Sequence, residues 1–195
     1  MKYYPEIYNL LFERGKKIES EKELGDKDKG LFLRDDQGDF WWELRDCDYY
    51  SQFELEKIVW MEISNLSNFS LDNKNNYLTN SAYMMVGKDL KYILGVLNSK
   101  VIDYYFPHIS VQIAGQRRRY TKQYVEKIPV PLKSDLKEEI SSLVDKILSI
   151  TRRNNHLNNQ KIQKEVNLLE KEIDKLVYKI YNLTPEEIKI VEKHI

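Results

Sequence analysis

Lys57-Ile58-Val59-Trp60-Met61-Glu62-Ile63 is the stretch on which the fold class turns. β-Branched and aromatic side chains crowd it and no capping residue opens a helix, so it predicts a strand. Working outward toward the C-terminus, Asn65-Leu66-Ser67-Asn68 and Asp72-Asn73-Lys74-Asn75-Asn76 carry turn chemistry. Tyr77-Leu78-Thr79 and Ser81 to Val86 predict further strands. The period then changes: Leu90, Ile93, Leu94, Leu97 and Val101 follow helical spacing. A helix is predicted from Lys88 to Tyr105, stopped by Pro107. Toward the N-terminus, Leu31 to Leu44 reads as short strands around an Asp35-Asp36-Gln37-Gly38 turn, after a solvated Gly25 to Gly30 loop. Pro5 to about Glu23 predicts a first helix, with proline suited to its first turn.

Ser110 to Tyr124 has no clear period. It leads to Ile128-Pro129-Val130-Pro131, whose alternating prolines cannot both serve a central strand and so mark an edge or an exit. Beyond it, Leu136, Ile140, Leu143, Ile147 and Ile150 step by four and three. Ile162, Val166, Leu169, Ile173, Leu176 and Ile180 do the same. That spacing predicts two helices with narrow apolar seams, folded back across Arg152-Arg153-Asn154-Asn155. Thr184-Pro185-Glu186-Glu187 has the pattern of a capping box and opens a last short helix to about His194. The predicted fold is α+β: a first domain with a mixed β-sheet and flanking helices over 1–131, then a C-terminal helical hairpin over 132–195.

Composition narrows the function. Hydrophobic residues form 42% and charged residues 32% of the 195, a globular balance. Lys plus Arg equals Asp plus Glu at 31 each, which argues against a binder of nucleic acid driven by bulk charge and leaves room for a local basic face. Tyrosine is abundant at 14, and its apolar ring with a polar tip suits either half-buried strands or wet interfaces. Cys47 is the single cysteine, so a disulfide framework and a thiolate metal site are both excluded. No apolar run approaches the roughly 18 residues of a membrane span, and no signal segment opens the chain. A cytoplasmic protein without membrane contact is expected.

Catalytic signatures are missing. There is no Gly-rich phosphate loop, no nucleophile elbow and no His-Glu-x-x-His, and His108, His156 and His194 lie far apart. Asp89-Leu90-Lys91 and Glu187-Ile188-Lys189 fall in predicted helices, where solvated faces explain them. Catalytic, cofactor and metal sites are therefore all expected to be absent. One cluster carries binding chemistry: Gln112, Gln116, Arg117, Arg118, Arg119, Tyr120 and Lys122. Arginine can grip a guanine edge with its planar fork and glutamine an adenine edge, while Arg and Lys also anchor phosphates. Gly115 would let the backbone approach a partner. By itself a triple basic run also suits an ordinary solvated loop.

The order of these segments resembles the TaqI-like C-terminal specificity domain, the target-recognition part of adenine-specific type II methyltransferases and of restriction enzymes fused to them. The resemblance runs through Tyr4-Pro5-Glu6-Ile7-Tyr8, Trp42-Glu43-Leu44-Arg45, Lys57-Ile58-Val59-Trp60 with Ile63-Ser64, and Asp72 to Tyr83. Its most recognisable piece is Leu94-Gly95-Val96-Leu97-Asn98-Ser99-Lys100, a helix ending in Leu-Asn-Ser-Lys. Ile128-Pro129-Val130-Pro131 and Tyr181-Asn182-Leu183-Thr184 complete it. The resemblance implies double-stranded DNA as ligand and an adenine methyltransferase catalytic domain as partner, in cis or in trans. It also implies that S-adenosylmethionine and an Asn-Pro-Pro-aromatic motif belong to that catalytic domain; the motif does not occur in these residues. A start at Met1, just before the first helix, fits an excised fragment or a split gene. The target adenine would rotate out of the stack into the catalytic pocket. Two alternatives stay open: a type I specificity-subunit-like domain, which should repeat the recognition-plus-helix unit, and a helical assembly module working through the C-terminal seams.

Overall fold

A computed structural model of the chain describes residues 4–20, 31–32, 38–43, 49–113, 115, 117–152 and 159–193. The chain divides into two units, Met1–Tyr50 and Ser51–Ile195. In the first, α1 (Pro5–Ser20) starts at the predicted proline. Tyr8 and Phe12 of α1 lie edge-on or tilted against Trp41 at ring distances of 5.4 and 5.9 Å, and Trp41 meets Phe32 at 4.8 Å. Phe40 stacks on Trp42. This unit is thus held by aromatic packing. Residues 31–32 and 38–43 form turns, so the described part of the expected Leu31–Leu44 strands contains no strand. Their remainder, with Cys47, lies outside the described residues.

In the second unit, β1 (Lys57–Met61) is the central strand of a three-stranded sheet, between β3 (Ser70–Asp72) and β4 (Ala82–Val86). Both pairings are antiparallel, with Ile58 opposite Leu71 on one side and Met85 on the other. β2 (Ile63–Ser64) pairs antiparallel with β5 (Arg118–Arg119) in a second sheet. The expected mixed sheet is therefore corrected to antiparallel pairing throughout these strands: β3 and β4 run the same way, but β1 lies between them, so they share no parallel ladder. Tyr77-Leu78-Thr79 forms no strand. Asp72 ends β3 instead, and its carboxylate takes the N–H groups of Lys74 and Asn76 at 2.9 and 3.1 Å, closing a side-chain-bonded turn that leaves Asn75 left-handed at φ 59°.

The predicted helix over Lys88–Tyr105 is two helices, α2 (Leu90–Leu97) and α3 (Lys100–Ile109). The Asn98-Ser99 break is set by remote partners. Asn98 Oδ1 accepts the Phe69 N–H at 3.0 Å, and Asn98 Nδ2 donates to the Phe69 carbonyl at 2.9 Å. Ser99 is extended and donates its hydroxyl to the Val96 carbonyl, while the Lys100 N–H donates to Asp174 Oδ1 at 2.9 Å. A carboxylate from elsewhere in the chain thus caps α3. Pro107 lies inside α3 rather than ending it: only its own i−4 bond is forfeited, and the ladder resumes with Ser110 N–H to the Phe106 carbonyl at 3.1 Å.

After β5 the chain forms a short α4 (Lys122–Val125), then α5 (Lys137–Thr151), α6 (Gln160–Ile180) and α7 (Pro185–Lys193). The heptad-like seams pack α5 and α6 on each other and on α2. Gly95 of α2 makes this possible, because a Cβ there would stand 2.6 Å from Ile140 Cγ2 and 3.2 Å from Val144 Cγ2. Ile140, Val144, Ile173 and Val177 are buried with Leu94, Val96 and Leu97 in one core. Helices α5 and α6, beyond the expected boundary after Pro131, thus share one core with α2. Two tyrosines strap the proline exit: Tyr92 of α2 donates to the Pro131 carbonyl at 2.5 Å, and Tyr181 to the Pro129 carbonyl at 2.7 Å. The capping box forms as predicted, with the Thr184 N–H on Glu187 Oε2 at 2.7 Å and the Glu187 N–H on Thr184 Oγ1 at 3.3 Å.

Candidate nucleic-acid interface

The basic segment is a β-hairpin. Gln112 pairs antiparallel with Arg118, the Ile113 N–H donates to the Arg117 carbonyl at 2.8 Å, and the Arg119 N–H to the Val111 carbonyl at 3.3 Å. The chain reverses around Gly115, whose φ of 72° favours glycine. On its other edge β5 pairs with β2, Ile63 opposite Arg119 and Ser64 opposite Arg118. The Tyr120 N–H extends that ladder to the Glu62 carbonyl at 2.7 Å. Arg118 and Arg119 therefore sit on a strand bonded along both edges, so their directions are set by strand parity.

Parity separates the predicted residues. Tyr120 is 2% exposed, stacked on Phe106 at 4.0 Å and edge-on to Phe69 at 6.0 Å. Its carbonyl accepts the Trp60 indole N–H at 2.7 Å. Burial, with the Asp103 carboxylate nearby, pushes its phenol above the usual range. Tyr120, expected among the DNA-binding residues, is thus placed as a core anchor under the hairpin. Arg118 shares that parity and is half-buried, opposite Gln112 and Ser64. Arg117 and Arg119 take the other parity and are exposed; Gln112 and Lys122 are exposed too. Arg119 Nη1 lies 3.4 Å from Glu62 Oε1, a long contact on a half-exposed pair that holds the guanidinium only weakly. Gln116 lies outside the described residues.

Two residues beside the arginines carried no recognisable signal in the sequence. Ile63 and Val111 are exposed at 43% and 53%, and each stands across from Arg119, one on either neighbouring strand. Only strand register puts them there.

A cleft of about 610 Å³ lies between residues 67–71, the α2–α3 break and helices α5 and α6. Asp103, Glu170 and Asp174 line it. Burial raises all three carboxyls; at Asp103 it outweighs the Ser67 N–H bond, and at Asp174 the Lys100 N–H bond. Its acidic lining has the wrong sign for a phosphate backbone. A second cavity of about 510 Å³ beside α3 and α7 is lined largely by apolar and tyrosine side chains with Glu187. The hairpin face, by contrast, carries Arg117, Arg118 and Arg119 on successive residues. No helix among the described residues is long and apolar enough to cross a membrane.

The class of protein follows from comparison with known families: the model that matches describes a specificity domain, a DNA-recognition module associated with methyltransferases. The chain belongs to the TaqI-like C-terminal specificity domain family, whose model matches residues 15–130. That range takes in the β1 strand, the Leu97-Asn98-Ser99-Lys100 break and the whole basic hairpin.

Proposed function

We propose that this chain is the target-recognition module of a type II restriction–modification adenine-N6 methyltransferase, and that it meets duplex DNA through the 111–122 hairpin. The observation that carries the reading is an exposed basic strand, anchored from beneath by Tyr120, inside the span that defines the family. Arg117, Arg119 and Lys122 gather positive charge on a chain of zero net charge, and Gln112 with Arg118 offers hydrogen-bonding side chains at the hairpin edge. The catalytic domain, with its S-adenosylmethionine, acts from a partner in cis or in trans and receives the flipped adenine. With a neutral chain, much of the grip on DNA comes from that partner.

Binding of duplex DNA by the chain, followed by fluorescence anisotropy across a salt series, tests the site. Replacing Arg117, Arg118 and Arg119 by Ala is expected to weaken binding and to flatten its log–log salt slope by about one for each phosphate no longer neutralised. Unchanged salt dependence would remove the hairpin from the interface. The chain with S-adenosylmethionine alone is expected to leave adenine unmethylated. Methylation appearing without any catalytic partner would overturn the division of labour.

A further inference from the structure

Ile63, Arg119 and Val111 form a row across three adjacent strands, all on the same exposed parity. Along the strand two residues on, Arg117 repeats the arginine and Ile113 opposite it repeats the aliphatic. The face is thus a column of arginines flanked by β-branched aliphatic side chains at the surface. A single exposed aliphatic residue needs no explanation, but a pair bracketing one guanidinium gives a face of mixed chemistry. Neighbouring strands lie about 4.8 Å apart and DNA rises about 3.4 Å per base pair, so such a row spans roughly three base-pair steps. The major groove, about 12 Å wide, admits a β-ribbon. Of the base edges displayed there, only thymine offers an apolar group, its C5-methyl.

We infer that the outward face of the hairpin reads thymine methyl groups in the major groove, with Val111 and Ile63 seated on methyls roughly three base-pair steps apart, on either side of the bases that Arg119 addresses. This rests on the DNA-recognition reading above. The guanidinium supplies charge complementarity to the duplex, while the aliphatic flanks are desolvated only when a methyl covers them. Glu62, 3.4 Å from Arg119, releases the guanidinium as DNA takes its place.

The test begins with selection of a preferred duplex from a randomised pool by the chain. Each thymine of that site is then replaced singly by 2′-deoxyuridine, which deletes the methyl and leaves base pairing intact. Two positions roughly three base-pair steps apart are expected to lose affinity about threefold to fourfold each, the worth of one buried methyl. The effect at one should vanish in Ile63→Ala and at the other in Val111→Ala, because neither variant keeps the aliphatic side chain that would cover the methyl. A selected site without thymine, no sensitive position, or sensitivity that survives both substitutions would overturn the inference and leave DNA recognition standing. A pool from which nothing is enriched would bring down the recognition reading and this inference with it.

Discussion

Replacing Asp72 by Ala should cost more stability than any surface change in the molecule. Lys57 opens β1 and is 0% exposed; its Nζ donates to Asp72 Oδ2 at 2.8 Å, to the Phe53 carbonyl at 2.7 Å and to the Leu55 carbonyl at 3.4 Å. Asp72, 7% exposed, also takes three donors from its own turn: the Lys74 and Asn76 N–H groups and Asn76 Nδ2. Deleting the carboxylate leaves a buried ammonium facing two carbonyls and releases that turn. The expected cost is about 3–5 kcal/mol, a large part of a domain's total of about 5–15 kcal/mol. Lys57→Met should cost less, because the Asp72 carboxylate keeps its three turn donors and lies nearer to water. Urea denaturation followed by helical circular dichroism gives both values and, with the double variant, their coupling. Acid adds an independent check. Burial works to raise the Asp72 carboxyl, but the bond from Lys57 and the N–H groups of Lys74 and Asn76 overcome it and hold the carboxyl below its usual range. Its contribution is therefore complete above the unfolded value of about 3.9 and disappears as pH falls through the lower folded value. The gap between wild type and Asp72→Ala should stay constant at mildly acidic pH and close only in strong acid. A cost under about 1 kcal/mol, or a gap that closes near neutrality, would refute the role given to this pair.

Three further outcomes test the architecture and the site. Gly95→Ala should destabilise by about 1–3 kcal/mol, since its Cβ would meet Ile140 at 2.6 Å; a thermal melt that does not move would dissociate α5 from the core. Glu62→Gln should tighten duplex binding at low salt and leave stability nearly unchanged, because it frees Arg119 and removes a negative charge beside it; weaker binding in anisotropy would reverse the assigned role. Tyr120→Phe should leave DNA affinity intact because the ring faces Phe106 inside the core; a many-fold drop in binding with an unchanged melt would place the hydroxyl at the interface after all.

The sequence was most legible where one side-chain pattern acts locally. β1, the seams of α5 and α6, and the Thr184–Glu187 capping box all form as their spacing predicts, because propensity, period and cap agree within a few residues. The misreadings fall where remote groups intervene. The Leu90–Val101 periodicity runs unbroken through Asn98-Ser99, yet the helix breaks there, where Phe69 holds the Asn98 side chain and Asp174 takes the Lys100 N–H. The strand expected at Tyr77–Thr79 is displaced because the Asp72 carboxylate organises the residues after it into a turn.

For the interface the division is sharper. The residues alone marked 112–122 as the one segment with the donors to grip DNA, and showed no catalytic signature beside it. Nothing local told Tyr120 from Arg119. That choice was made by β2, which fixes the register of β5 against Glu62–Ser64, so that parity sends one side chain under Trp60 and Phe106 and its neighbour into water. The same pairing brings Ile63, remote in sequence, to the side of Arg119. A sequence specifies which chemistries are present; cross-strand register, a property of long-range pairing, decides which of them share a face.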